Sequence, residues 1–437
     1  MTYQIPTIGG IDLLDVTSKI ISIVITSRLQ SALRIDDIPF QFGSSPNTGC
    51  PDGSYSIKSI LQLNKEHDLN TWVVFVDLVK AFDTIHHELM LKLLGKFGIP
   101  KYLIRVIEKL YHEFQIEIKV GKCKENIDYQ TGVKQGDNLA PILFIIVMQF
   151  MNELVEKNLK ENNIAKIQFC HDTNAYYNGG QVLRQKYKKK YITKDEAFLL
   201  LYVDDGASLF NSRNDAIIGT NIIFNQMKRM GLNMHVGSGK TASKTEAVFF
   251  PSRSKISKWL RKGKTESICC SPEKQYDIVD PNLKEKKVPY HLTKKVLDKA
   301  YNNSSETNNI IVNDEFFVSF TENFKYLGSW ISYDLHDTFD VESRISKANQ
   351  AMGALKIFWD SDEVDIISKY LIYMAIPMNL LTWGCESWAL TKILIKKLEI
   401  FHMRSIRRIL RIKWSDVMED RIRNSKVRRM FYNINTV

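Results

Sequence analysis

Residues 198 to 210, FLLLYVDDGASLF, place two adjacent carboxylates, Asp204 and Asp205, between two apolar runs. Apolar flanks around Asp-Asp-Gly predict a tight β-hairpin, because Asp and Gly supply the backbone angles that such turns use. Two like charges ~4 Å apart repel by roughly 4 kcal/mol at an effective dielectric of about 20, so a divalent cation is the natural partner of the pair. An ordinary exposed turn satisfies the same residues taken alone. The rest of the chain has to decide between them.

The chain has 437 residues, 44% of them hydrophobic, enough for a large core and for two or three structural units. Its net charge of +11 suits a polyanionic partner, and the excess is uneven. Between Lys392 and Met430 there are 13 Lys and Arg against 4 Asp and Glu. That density suits phosphate backbones, although a solvated helix face is what a charge run usually is. The longest apolar run, LAPILFIIVMQFM from Leu139, is shorter than a bilayer span and contains Pro141 and Gln149, so no membrane partner is expected. The six cysteines include no CxxC pair, which argues against zinc or a disulfide framework and for a reducing compartment. No secretory leader pattern is visible at the N-terminus. The expected location is intracellular, in the cytoplasm, the nucleus or both.

Along the chain, apolar spacing predicts an amphipathic helix over 11 to 34, an irregular loop from Gln41, and a second helix in YSIKSILQLNKEHDL. TWVVFVDL, residues 71 to 78, reads as a buried strand, and the segment after it as a helix stopped by Gly98 and Pro100. A short strand over Ile116 to Val120 and a turn bracketed by Gly132 and Gly136 precede an apolar helix at Ala140 to Val155. Residues 171 to 196 read as a polar, basic insertion, and 252 to 310 as a charged linker or flexible insertion. EFFVSFTENFKYLGSWIS suggests a hairpin, and a helical pattern follows from about Asp340.

Asp77 stands where the strand VVFVD leaves its sheet. A carboxylate there can meet Asp204 and Asp205 on a neighbouring hairpin, giving three hard oxygen donors of the kind that favour Mg²⁺. Two such ions, about 3.5 to 4 Å apart, activate a hydroxyl and stabilise a departing oxygen in an in-line phosphoryl transfer. The chemistry implied is nucleotidyl transfer.

FVDLVKAFDTIHHELMLKLLGKFGIP, TGVKQGDNLAPILF, LLLYVDDGASLF, GLNMHVGSGKTASKTEAVFF and FKYLGSWIS occur in this order along the chain. In order and spacing they resemble the successive motifs of reverse transcriptases, most closely those of non-LTR (LINE-type) retrotransposons. The resemblance runs from about Ile11 to Arg423. It implies an α+β right-hand polymerase, with an antiparallel palm sheet backed by helices and an α-helical thumb. The implied divisions are fingers over 1–70, truncated at the N-terminus, and a palm over 71–251 that carries a finger insertion and the basic insertion. After the linker come a primer-supporting hairpin over 311–335 and a basic helical thumb over 340–437.

By the same resemblance, Asp77 and Asp204 match the two metal-binding aspartates, and Asp205 the adjacent carboxylate. Two Mg²⁺ are implied, with Mn²⁺ an alternative. Phe82 matches the aromatic that crowds the sugar 2′ position, while a core Phe accounts for it equally. Gln135 and Gly136 match the QG pair beside the incoming nucleotide and template; as a bare dipeptide they mean a turn. Lys244 matches a lysine near the pyrophosphate leaving group, and is otherwise a surface charge. Phe324, Lys325, Tyr326, Leu327 and Gly328 match the hairpin that supports the primer, or simply a hairpin on the core. WGCESW, from Trp383, resembles a recurrent thumb segment. Beyond it Arg404, Arg407, Arg408 and Arg411 recur at helical spacing, near one face that suits an RNA–DNA duplex, with few acidic residues nearby to pair with them.

The resemblance thus implies an RNA template, a DNA primer and deoxynucleoside triphosphates as partners. It implies an endonuclease supplied in trans or by a missing N-terminal region. At two positions where family members commonly carry fingers arginines, this chain has Gly9 and Ser45. A truncated remnant that binds nucleic acid without polymerising is the alternative those substitutions raise.

Overall fold

The computed structural model describes residues 16–33, 40–43, 48–112, 115–121, 123–128, 131–134, 136–172, 177–178, 181–182, 192–239, 241–265, 290–412 and 423–432. The chain divides into two compact units, Met1–Leu327 and Gly328–Val437.

The first unit opens with helices α1 (Val16–Leu33) and α2 (Cys50–Glu66) and strand β1 (Thr71–Val76). Helices α3 (His87–Lys96) and α4 (Lys101–His112), strands β2 (Gln115–Val120) and β3 (Cys123–Asp128), and the long helix α5 (Ala140–Glu161) follow. Next come β4 (Ile167–Asp172), β5 (Tyr177–Asn178), β6 (Gln181–Val182), β7 (Ile192–Ala197), β8 (Leu199–Tyr202), β9 (Asp205–Phe210) and α6 (Arg213–Arg229). The unit closes with β10 (Glu246–Phe250), α7 (Arg253–Thr265), α8 (Tyr290–Asn302), β11 (Ile310–Val312), β12 (Phe316–Phe320) and β13 (Asn323–Tyr326).

Among the described residues, six strands form the main sheet in the order β11-β12-β10-β1-β9-β8. Its centre is antiparallel: β1 pairs with β10 on one side and β9 on the other, and β9 with β8. All six residues of β1 are buried, as a β-branched and aromatic run at the middle of a sheet demands. Alternation gives that sheet two faces. Val74, Val76, Ser208 and Phe210 share one face, while Phe75, Ala207 and Glu246 share the other. Helix α6 packs on β1 and β9, and α5 packs on α6. Helix α5 buries Ile142, Leu143, Phe144, Ile145, Ile146 and Val147 in succession, so its apolar run belongs to the protein core. No helix among the described residues is long and apolar enough to cross a membrane.

Three expectations are corrected. Helix α1 is not amphipathic: Ile25 and Leu29 are buried, yet Ile20, Ile21, Ile23 and Val24 are exposed, because its apolar residues lie all round the helix. The stretch 252–310 is not a bare linker where it is described, for α7 and α8 pack against each other and each reaches Phe249 of β10. The ring of Trp259 meets Phe249 edge-on, and the buried hydroxyl of Tyr301 accepts the Phe249 N–H at 3.0 Å. Few apolar residues sufficed, because two of them are large aromatics aimed at one strand. EFFVSFTENFKYLGSWIS is more than a hairpin, since β12 joins the main sheet parallel to β10 and antiparallel to β11. Within the basic insertion, β4 and β7 pair as an antiparallel ladder, and residues 173–176, 179–180 and 183–191 lie outside the described residues.

The second unit begins with β14 (Ser329–Ser332), and among its described residues the helices α9 (Thr338–Ala354), α10 (Lys356–Asp360), α11 (Ile366–Tyr373), α12 (Asn379–Thr382), α13 (Lys392–Ile409) and α14 (Asn424–Tyr432) follow. Its core gathers Trp359, Tyr373, Phe401, Ile406, Val427 and Phe431. An ion pair between Asp340 and Arg344, both nearly fully buried, anchors its start, and Trp388 Nε1 donates to Asp340 Oδ2 at 2.8 Å. That contact gives the second Trp of WGCESW a packing role inside this unit.

Candidate active site

The site is assembled by strand register. Val76 pairs with Gly206 at the last step of the β1–β9 ladder, so Asp77 and Asp205 each follow one residue beyond that pair, at the same end of the sheet. Tyr202 pairs with Asp205, which leaves Val203 and Asp204 as the two residues of the β8–β9 turn. The sequence suggests Asp-Asp-Gly as the turn; the structure moves it back, putting Gly206 inside β9 and the β-branched Val203 at φ 57. A left-handed valine costs on the order of 1–3 kcal/mol and persists only where its surroundings hold it.

Burial first, then repulsion from Asp204 and Asp77, raises the Asp205 carboxyl to about 6. Burial and the Asp77 charge likewise raise Asp204 above the usual carboxylate range. The three carboxylates therefore feel one another. Glu246, paired with Phe75 and so on the same face, is half-buried and also raised by burial.

The backbone of Asp77 is held by the segment that leads into β10. His235 N–H donates to the Asp77 carbonyl at 2.8 Å, and the Asp77 N–H donates to Thr245 Oγ1 at 3.1 Å. Thr245 N–H in turn donates to the His235 carbonyl at 3.0 Å. Lys244 sits between these contacts, with an exposed side chain and a main-chain N–H that donates to His235 Nδ1 at 3.2 Å. His235, Thr245 and Glu246 were not singled out from the sequence; GLNMHV and SKTE contain them, but nothing in a hydroxyl or an imidazole says which backbone group it will meet.

Phe82 lies in a short 3₁₀ turn, Ala81–Asp83, after Lys80 at φ 49. It is half-buried, its ring stacked on Phe144 at 4.7 Å, and its carbonyl accepts the Val133 N–H at 2.7 Å. Gly136 is exposed at φ 106, ahead of α5, where the Asp137 carboxylate accepts the Leu139 N–H at 3.1 Å. Gln135, Gly9 and Ser45 lie outside the described residues.

In FKYLG, Phe324 stacks on Phe75 at 4.2 Å, and Lys325 is exposed. Tyr326 is buried under the site, its hydroxyl without a hydrogen-bond partner and its ionisation suppressed by burial and by Asp205. Leu327 and Gly328 have φ 48 and 84, the two left-handed residues of a tight turn. Tyr326 thus supports the floor of the site from below. Cys50 hydrogen-bonds Tyr202 from α2, and that contact, with burial, raises the tyrosine to about 12.

In the second unit, Arg404, Arg407 and Arg408 line one open groove of about 640 Å³ on α13, together with Lys396, Met403 and Asn424. The expectation that acidic partners are scarce is corrected. Arg411 pairs with Asp362 and donates to the Asp360 carbonyl at 2.6 Å, and Arg408 lies 3.9 Å from the Asp360 carboxylate. Those acids come from the end of α10 and the loop after it, some fifty residues earlier in sequence, so helical spacing could not show them. Arg407 donates to Asn424 Oδ1, and Arg404 is exposed.

A model of the family described as reverse transcriptase (RNA-dependent DNA polymerase) matches residues 9–331. The chain belongs to that family. With the family comes the α+β right-hand polymerase fold. Among proteins similar to this chain, the Pol polyprotein of the type-2 retrotransposable element R2DM of Drosophila melanogaster is 31% identical over 126 residues, 29% of this chain and 12% of the relative. The Pol polyprotein of a type-1 retrotransposable element R2 of Popillia japonica is 40% identical over 86 residues, 20% of this chain and 14% of the relative. These relatives agree with the expected non-LTR retrotransposon type. The matches span only 12% and 14% of those polyproteins' own length. Among solved structures, telomerase from Candida albicans in complex with a fragment of telomeric RNA aligns at TM-score 0.41 and 12% identity, over 96% of this chain and 57% of that one.

Members of this family use divalent cations. Among the described residues no three Asp, Glu, His or Cys side chains stand close enough to hold an ion as they are. The donors nonetheless fit a hard cation in kind: three carboxylates at one sheet end, two of them driven towards protonation by burial and by their neighbours. A cation there would offset the burial and the mutual repulsion that raise both.

Proposed function

We propose that this chain is an RNA-directed DNA polymerase that adds deoxynucleotides to a primer 3′-hydroxyl on an RNA template, as part of a non-LTR retrotransposon. The observation that carries the reading is the register that ends at Val76–Gly206, with Asp77 and Asp205 one residue beyond that pair and Asp204 on the adjoining β8–β9 turn. Asp77, Asp204 and Asp205 would hold Mg²⁺, two ions by the family resemblance, with Mn²⁺ as a substitute. When bound, such ions supply charge neutralisation at the attacking and leaving oxygens of a phosphoryl transfer.

The chain's own residues do the remaining work. His235 and Thr245 fix the backbone of Asp77, so its carboxylate does not swing with the loop. Phe82, braced by Phe144, presents a ring edge where a ribose 2′-hydroxyl would collide, which favours deoxynucleotides. Gln135 and Gly136 are assigned to the incoming nucleotide and template, and Lys244 to the pyrophosphate that departs when the primer hydroxyl attacks the α-phosphate. Phe324 to Gly328 support the primer end. Arg404, Arg407 and Arg408 face the phosphates of the template–primer duplex from their common groove, while Arg411 is committed to Asp360 and Asp362. The nick that supplies a primer comes from an endonuclease, in trans or in the same polyprotein, and the site of action is inside the cell.

The test is extension of a labelled DNA primer on an RNA template with the four deoxynucleoside triphosphates and Mg²⁺ or Mn²⁺. Template-directed extension is expected. Salt-sensitive duplex binding with no incorporation under either cation would contradict the reading. It would support the rival, a binding-only remnant, which Gly9 and Ser45 favour.

A further inference from the structure

The left-handed turn residue of the YVDD hairpin is held by a side chain from far upstream. The Leu201 N–H donates to the Phe40 carbonyl and the Phe42 N–H to the Leu201 carbonyl, each at 2.9 Å, which lays residues 40–42 along β8. Between those bonds Gln41 points inward and is only 5% exposed. Its Oε1 accepts the Val203 N–H at 3.1 Å and the Gly43 N–H at 3.0 Å. One amide oxygen thus ties the strained residue to the segment lying over it. Gly43 makes the approach possible, because a Cβ there would lie 2.5 Å from Val203 Cγ2 and 2.7 Å from its main-chain nitrogen.

We propose that Gln41 is a positioning residue of the polymerase centre: its amide oxygen pins Val203 in the left-handed conformation and so sets where Asp204 and Asp205 present their carboxylates. The inference rests on the polymerase reading above. Its physical basis is local. Val203 adopts φ 57 only against the preference of a β-branched residue, so without an acceptor for its N–H the turn has reason to relax, and Asp204 is the very next residue. A small displacement of a metal-holding group is costly to the reaction, because the reacting atoms must stay aligned. Gln41 itself has no path to substrate, being buried with its acceptor turned to two main-chain N–H groups.

The experiment compares the full chain with Gln41→Met, which keeps the length of the side chain and removes the acceptor, and with Gln41→Met/Val203→Gly, in which the turn residue takes a positive φ without strain. Single-nucleotide incorporation and Mn²⁺ binding followed by electron paramagnetic resonance are read in parallel. Gln41→Met is expected to lower kcat by about 10- to 100-fold, to leave KM for the deoxynucleotide within about twofold, and to weaken Mn²⁺ binding. The added Val203→Gly is expected to recover most of both losses, which a defect of folding alone would not show. Should Gln41→Met fail to fold, Gly43→Ala presses on the same turn with Gln41 in place, and it is expected to give the same pattern. Wild-type kcat and Mn²⁺ affinity in Gln41→Met or, in its stead, Gly43→Ala, or no recovery with Val203→Gly, overturns the role of Gln41 while the polymerase reading stands. A wild-type chain with no Asp204-dependent Mn²⁺ binding and no extension overturns the polymerase reading, and the role with it.

Discussion

The main-chain N–H of Asp77 donates to Thr245 Oγ1 across 3.1 Å, and Thr245 is completely buried. Thr245→Val keeps the shape and removes the acceptor, leaving a buried N–H unpaired at a cost of about 1–3 kcal/mol. The expected outcome is a lower unfolding midpoint together with incorporation reduced by about tenfold, both restored by Thr245→Ser. Unfolding curves and primer extension on the three proteins check it. A valine variant equal to wild type in both would show that the bond does not hold Asp77.

Phe82 and Phe144 stack at 4.7 Å with their planes 15° apart. Phe82→Val shortens the side chain that is assigned to exclude a 2′-hydroxyl. Ribonucleotide use relative to deoxynucleotide use is expected to rise by about tenfold or more, measured as a ratio of kcat/KM values. If the ring serves packing alone, the variant loses stability and the ratio stays where it was.

How much of this was legible in the sequence differs from part to part. The run TWVVFV and the pair Asp204–Asp205 carried enough pattern to place β1 and the hairpin beside it. The position of the turn was not legible: Asp-Gly is the commoner turn pair, and only the strand register, which sets Val76 against Gly206, pulls the glycine into β9. Residues 252–310 looked like a linker because their composition is polar, yet Trp259 and Tyr301 dock two helices on β10. The contacts that hold the site together, Gln41 to Val203 and Thr245 to Asp77, join segments 162 and 168 residues apart. No periodicity encodes a contact of that kind.

The second unit separates arginines that sequence spacing treats alike. Arg411 pairs with Asp362, which is 87% exposed, and an exposed pair is worth about 0–1 kcal/mol. Arg404→Ala is expected to weaken binding to an RNA–DNA duplex and to lower the slope of log K against log salt by about one. Arg411→Ala is expected to leave that slope unchanged. Binding titrations across a salt series distinguish them, and the reverse ranking would contradict the assignment.

His402 lies between two tyrosines, accepting or donating at Nδ1 with the Tyr373 hydroxyl at 2.9 Å and at Nε2 with the Tyr432 hydroxyl at 3.0 Å. Burial, then the nearby Arg428 charge, lowers its protonation below the usual histidine value of 6.5. The folded state therefore takes up a proton less readily than the unfolded one, so stability present above 6.5 falls as pH drops through that value towards the lower folded-state one. The unit 328–437 within the full chain should lose thermal stability on acidification from about pH 7.5 to 5.5, and His402→Gln should flatten that dependence. Hydrogen exchange of α14 against pH measures it; an unchanged slope in His402→Gln counts against the site.

The central claim is that three carboxylates brought together by strand register carry out template-directed nucleotide addition. Single-turnover incorporation on a primed RNA template, comparing wild type with Asp204→Asn at equal duplex occupancy, tests it most directly. The expected result is incorporation lowered by about 100-fold or more with duplex affinity unchanged. Incorporation by Asp204→Asn at the wild-type rate would contradict it.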